Sequence, residues 1–152
     1  KADPRNVHAY VMGEHGDSEF VPWSQALLAT KPILELCGEN GEAVCRQRFD
    51  EIEEEVRTAA YKIIEAKSAT YYGIGMALTR ITKAILGDEH SVLTVSAMLR
   101  GEYGQMDVFA GVPCIINQNG VQRVLPLSLT PEELEKLGRS CDTLREGYDG
   151  IF

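Results

Sequence analysis

The spacing of apolar and polar side chains changes its period several times along this chain, and each change predicts an element. Residues 7–12 (Val-His-Ala-Tyr-Val-Met) are apolar or β-prone throughout and predict a strand. Alternation puts Val7, Ala9 and Val11 on one face and His8, Tyr10 and Met12 on the other. Asp3-Pro4 turns the chain into this strand, and Gly13 and Gly16 turn it out. Residues 19–23 read as a short extended piece that Pro22 keeps out of a sheet centre, with Trp23 as a core or interface residue. Residues 26–36 are weakly patterned and broken by Pro32, and Gly38-Glu39-Asn40-Gly41 reads as a loop.

From Glu42 the period becomes helical. Val44, Phe49, Ile52, Val56, Ala59-Ala60 and Ile63 recur at helical intervals, with Asp50, Glu51, Glu53, Glu54 and Glu55 on the other faces. Those acids read as a solvated surface, with Glu53 and Arg57 spaced to pair at i,i+4. The helix gives out around residues 67–70, and a second one carries Ile74, Leu78, Ile81 and Ile85 as its stripe, with Gly87 as its cap. Thr70 stands at the junction, either as the N-cap of the second helix or as a hydroxyl at a chain break where a cleft can form.

From Ser91 the period becomes two. Leu93, Val95, Ala97 and Leu99 alternate with Val92, Thr94, Ser96 and Met98, Gly101-Glu102-Tyr103-Gly104 turns the chain, and residues 108–116 form a nearly continuous apolar run. Asn119-Gly120 predicts a hairpin into a third strand over 121–129, completing an antiparallel meander. Thr130-Pro131-Glu132-Glu133 is a capping box opening a last helix, with Leu134, Leu137, Cys141, Leu144 and Tyr148 as its seam. The whole is an α+β order, an antiparallel meander packed with long helices, and residues 1–152 make one domain. There is no Gly-x-Gly-x-x-Gly after a strand.

Composition narrows the function classes. A formal net charge of −8 argues against nucleic-acid and membrane-surface partners. No apolar run approaches the ~18 residues that cross a bilayer. Cys37, Cys45, Cys114 and Cys141 form no CxxC pair, so the expectation is free thiols in a reducing cytoplasm, with neither a disulfide framework nor a metal site. Lys1 is not an initiator Met, and the expectation is a piece of a longer protein.

The chemistry concentrates in Gly13-Glu14-His15-Gly16-Asp17-Ser18. An imidazole, ordinary pKa about 6.5, gives or takes a proton near neutral pH, and one held between glycines past a strand end is open to a small molecule. The plainer alternative is a loop histidine flanked by glycines that only supply positive φ angles.

Other stretches go with this one in the same order: Asn6-Val7-His8-Ala9-Tyr10, Lys67-Ser68-Ala69-Thr70-Tyr71-Tyr72-Gly73-Ile74, Gly111-Val112-Pro113, and Asn117-Gln118-Asn119-Gly120. Together they resemble the lactate/malate dehydrogenase family, particularly its bacterial NAD-dependent L-lactate dehydrogenases. The resemblance covers nearly the whole chain and places it as that family's C-terminal, substrate-binding domain. It implies His15 as proton donor and acceptor between L-lactate and pyruvate, Thr70 lining the substrate pocket, and Ile74 packing against the nicotinamide ring. It further implies that His8 helps bind fructose 1,6-bisphosphate at a subunit interface, in a homotetrameric, cytoplasmic enzyme of glycolysis and fermentation. An aspartate that orients the histidine and two arginines that handle the substrate precede the histidine in the family by more than this chain contains. The NAD-binding Rossmann domain is likewise outside it, so the isolated chain is expected to be inactive. Malate or another 2-hydroxy acid as substrate, and a non-catalytic assembly domain, remain as alternatives.

Overall fold

The computed structural model describes residues 2–37 and 42–149. A small antiparallel sheet comes first, built from β1 (Val7–His8), β2 (Leu27–Leu28) and β3 (Lys31–Pro32). Two helices follow, α1 (Glu42–Lys67) and α2 (Tyr72–Leu86). The second sheet is an antiparallel meander of β4 (Ser91–Arg100), β5 (Met106–Asn117) and β6 (Gly120–Val124), and α3 (Pro131–Asp149) closes the chain.

The predicted meander is present. β4 and β5 pair from Ser91 against Ile116 to Leu99 against Val108, with a bulge between Leu99 and Arg100. Along β5, Val108, Ala110, Val112, Cys114 and Ile116 are buried, a period-two row joined in one core by Leu99 from β4 and by Leu137 and Cys141 from α3. The β5–β6 hairpin turns at Asn119-Gly120, where Gly120 takes φ +91° and Asn117 Oδ1 accepts the Asn119 N–H at 2.9 Å. β6 stops at Val124, short of the expected 129, because Pro126 has no N–H to continue the ladder. Tyr103 Oη takes up the Leu127 N–H instead, at 2.9 Å.

The capping box also stands. Thr130 Oγ1 accepts the Glu133 N–H at 3.3 Å, and Glu133 Oε2 accepts the Thr130 N–H at 2.9 Å. Glu133 reaches further: it accepts the Ser24 N–H at 3.0 Å and the Ser24 hydroxyl at 2.6 Å, clamping the start of α3 to the segment after Trp23. Burial pushes the Glu133 carboxyl up, and the hydrogen bonds from Ser24 and Thr130 outweigh it, leaving the group below its ordinary value.

Several expectations need correction. The strand over 7–12 is only β1, and burial climbs from exposed Val7 and His8 to buried Met12 instead of alternating. The chain is changing sheets: Met12 exchanges backbone bonds with Phe20, and Gly13 bridges to Gly111 of β5. The β1–β3 sheet went unpredicted because two-residue strands display no period. The seams of α1 and α2 exist but are only partly covered by this chain: Phe49 stacks on Trp23 and Ile85 packs on the core, whereas Val56, Ile63, Ile74 and Leu78 are exposed. The 38–41 loop and the Val44 side chain lie outside the described residues. Arg57 pairs with Glu54, not Glu53, because Glu53 accepts from Trp23 Nε1 at 3.3 Å and meets Lys136 Nζ at 3.7 Å. Cys37 and Cys45 form a disulfide, Cα atoms 6.0 Å apart, whereas Cys114 and Cys141 are buried free thiols. No helix among the described residues is long and apolar enough to cross a membrane.

Candidate active site

The His15 loop is held at its neck and along its sides. Met12 and Phe20 exchange backbone hydrogen bonds at 2.9 and 3.1 Å, closing the neck. Gly13 and Gly111 exchange theirs at 2.9 and 2.7 Å, pinning the loop to β5. Gly13 has φ +99°, and a Cβ there would run into the Ser140 side chain. Gly16 takes no positive φ, so only one of the two flanking glycines fits the plainer reading. Within the loop, Glu14 Oε2 accepts the Ser18 hydroxyl at 2.5 Å and the Ser18 N–H at 3.3 Å. The Tyr61 hydroxyl of α1 donates to Asp17 Oδ1 at 2.7 Å, and that bond with the aspartate charge holds the Tyr61 phenol above its ordinary value.

His15 itself is left open. Its side chain is 95% exposed, and its nearest charged group, Glu19 Oε2, is 3.8 Å from Nδ1, too long for a hydrogen bond. The protein positions the backbone at 15 and leaves both ring nitrogens available.

Thr70 lies in the link between α1 and α2. α1 ends where Ser68 takes φ +66°, and Tyr71, not Thr70, occupies the N-cap position of α2, with no side-chain cap. Among the described residues no group hydrogen-bonds the Thr70 hydroxyl. A cleft of about 980 Å³ brings His15, Thr70 and Ile74 together, its walls largely apolar, with Ala60 and Ile63 from α1 and Phe109 from β5. His8 does not line it and stands exposed on β1. No group of three His, Cys, Asp or Glu among the described residues is placed to hold a metal ion.

Ser140 and Tyr61 contribute to the site without having been singled out, and Gly111, quoted only for the family resemblance, proves to pin the loop. Ser140 did leave a signal: a polar residue inside the apolar seam of α3, beside Cys141.

Comparison with known proteins decides the family. The lactate/malate dehydrogenase alpha/beta C-terminal domain matches residues 1–152. The chain belongs to that family. It is 53% identical over 144 residues to "L-lactate dehydrogenase 2" of Bacillus anthracis, covering 95% of this chain and 46% of that protein. It is 50% identical over 153 residues to the L-lactate dehydrogenase of Priestia megaterium, covering 100% of this chain and 48% of that one. The chain thus spans about half the length of the curated relatives it matches. Among solved structures, the minor L-lactate dehydrogenase of Enterococcus mundtii in its ligands-bound form superposes with a TM-score of 0.93 at 46% identity, over 99% of this chain and 48% of that one. The ligands-unbound form of the same enzyme gives 0.84. The lactate/malate dehydrogenase C-terminal fold expected from the sequence is therefore the fold observed.

Proposed function

We propose that this chain is the substrate-binding half of an NAD-dependent L-lactate dehydrogenase, with His15 as the group that moves the proton. The observation that carries this reading is the convergence in one cleft of an imidazole and a hydroxyl, neither hydrogen-bonded among the described residues, and an exposed isoleucine, from three separate parts of the chain. Neutral His15 takes the hydroxyl proton of the 2-hydroxy acid, and protonated His15 returns it to the oxygen of the 2-oxo acid. Thr70 lines the part of the pocket that holds the substrate, and Ile74 offers an apolar surface to a nicotinamide ring. NAD, when bound, supplies the hydride acceptor and, in its reduced form, the donor. With the rest of the enzyme closed over the cleft, its apolar walls exclude water and strengthen the polar contacts made inside them.

The names of the relatives favour lactate over malate as substrate. The exposed side chains of Tyr72 (85%), Met76 (71%) and Leu86 (82%) on α2 support covering by further protein, and we place the chain in a homotetramer. The rest of the cofactor site, the aspartate that orients His15 and the substrate-gripping arginines belong to an N-terminal domain. The 152-residue chain alone is therefore inactive. The cytoplasm, as part of glycolysis and fermentation, is the assigned location. On β1, exposed His8 is assigned to fructose 1,6-bisphosphate at a subunit interface. Titrating full-length His8→Ala with the sugar bisphosphate checks it, and an unchanged activation curve rejects it.

The central test uses the full-length enzyme, obtained from its gene or by joining this chain to the N-terminal half of the Priestia megaterium relative. His15→Asn or His15→Ala should lower kcat for pyruvate reduction by at least about 10²-fold. Wild-type kcat in either variant would end the reading.

A further inference from the structure

We infer that Ser140, in the middle of α3 and 125 positions from His15 in sequence, is a positioning residue for the His15 loop, a role that rests on His15 being the acid–base group. Ser140 is fully buried. A serine inside a helix commonly points to solvent or bonds the carbonyl four residues back. This one does neither. Its Oγ accepts the Glu14 N–H at 2.5 Å and lies 3.0 Å from Ser18 Oγ.

The directions of these bonds follow from counting protons. A hydroxyl has one hydrogen to donate. Ser18 gives its own to Glu14 Oε2, at 2.5 Å. The contact between the two serines must then be donated by Ser140. The result is a closed circuit: Glu14 N–H to Ser140 Oγ, Ser140 O–H to Ser18 Oγ, and Ser18 O–H back to the Glu14 carboxylate. Bonds in such a ring polarise one another in the same sense.

The circuit brackets His15, seizing the residue before it and the residue three after. Because the His15 ring makes no hydrogen bond among the described residues, the placement of its Cα depends on those neighbours. The other side-chain tie on the loop is Tyr61 to Asp17, from the exposed surface of α1. Gly13 makes the approach possible, since any Cβ there would occupy the space of the Ser140 hydroxyl. α3 is anchored in the core by Leu137 and Cys141, on either side of Ser140, so the hydroxyl transmits the position of a rigid helix to the loop.

The test uses the full-length enzyme. Ser140→Ala removes the acceptor of the Glu14 N–H and opens the ring, and a loop displaced by about 1 Å loses up to about 10²-fold in rate. The expected result is a kcat lowered 10- to 100-fold, on the order of that limit, with KM for NADH unchanged. Leu137→Ala, equally buried on the same helix but with a side chain that offers the loop no hydrogen bond, provides the structural control. It should lower Tm at least as much while leaving kcat within about two-fold. Ser18→Ala opens the same circuit without touching the core, and combining it with Ser140→Ala should lower kcat no further than the single change. A Ser140→Ala enzyme with kcat within two-fold of wild type overturns the inference, as does an equal kcat loss in Leu137→Ala. His15→Asn run in parallel separates the two claims. If it is inactive while Ser140→Ala is fully active, only the positioning role fails. If it is active, the assignment of His15 fails first and the positioning role with it.

Discussion

Gly13 and Gly111 face one another with both backbone hydrogen bonds exchanged, and a Cβ on Gly111 would sit 2.9 Å from Gly13 O. That single approach ties the loop of His15 to the central strand of the meander. Gly111 has no positive φ, so the demand here is for space and not for conformation. Gly111→Ala should therefore push the loop away from β5 instead of straining β5. An overpacked site costs about 1–3 kcal/mol, and the loop should take part of that cost as displacement. Tm of the full-length enzyme should fall and kcat should drop along with it. Full activity together with a lowered Tm would separate the bridge from the function of the loop.

Glu133 should control the acid limb of stability. Its carboxyl lies below the ordinary value when folded, because the bonds from Ser24 and Thr130 outweigh the effect of burial. A carboxyl with a depressed folded pKa stabilises the protein above its unfolded value, about 4.3, and that contribution is lost as pH falls through the folded value. Glu133→Gln keeps the shape but removes the charge, so stability should fall at pH 7 by about 1 kcal/mol, with a shallower decline below pH 4.3. Urea melts from pH 3 to 7 measure both. An acid limb identical to wild type would show that Glu133 carries none of it.

Long elements with one clear period were legible before any coordinates. α1 runs from Glu42 to Lys67, where its pattern begins and gives out, α2 ends at Leu86 with Gly87 as its cap, and the meander and the Thr130/Glu133 capping box stand where their turn and cap residues put them. The rest depended on contacts that no period encodes. β1 to β3 are too short to show one, and the ion pair of Arg57 depended on Trp23 and Lys136 drawing Glu53 away. The stripes of α1 and α2 were correctly located but are only partly buried within this chain, since a hydrophobic seam says that something covers it and not what. At the site, Thr70 read by its pattern as a cap, with the pocket role implied only by the resemblance, and the placement of Tyr71 at the N-cap removed the cap reading. Ser140 stood out only as a polar residue in an apolar seam, and its partners, 122 and 126 positions away, carry no pattern that local sequence could show.

The cysteines should divide two and two. Cys114 and Cys141 are buried, and burial pushes the Cys114 thiol up to about 11, so neither presents a thiolate at neutral pH. Cys37 and Cys45 are bonded to each other and only half-buried. Purified without reductant, the native protein should show no fast-reacting thiol from this chain, the denatured chain should show two, and reduction should raise the count to four. Four thiols in the unreduced, denatured chain would mean that Cys37 and Cys45 are free in the isolated protein.

Thr70 allows a test that stability does not confuse. Its hydroxyl has no hydrogen-bond partner among the described residues and caps no helix, so Thr70→Val should leave Tm within about 1 °C, in line with a substitution that breaks no buried contact. If the hydroxyl meets the substrate, the variant loses one neutral hydrogen bond, about 0.5–1.5 kcal/mol. That predicts a fall in kcat/KM for pyruvate of about 2- to 10-fold with KM for NADH unchanged. Thr70→Ser, which keeps the oxygen, should recover most of the loss. Equal kcat/KM in the valine and serine variants would place the substrate away from Thr70 and leave its position at the α1–α2 link as a matter of chain geometry alone.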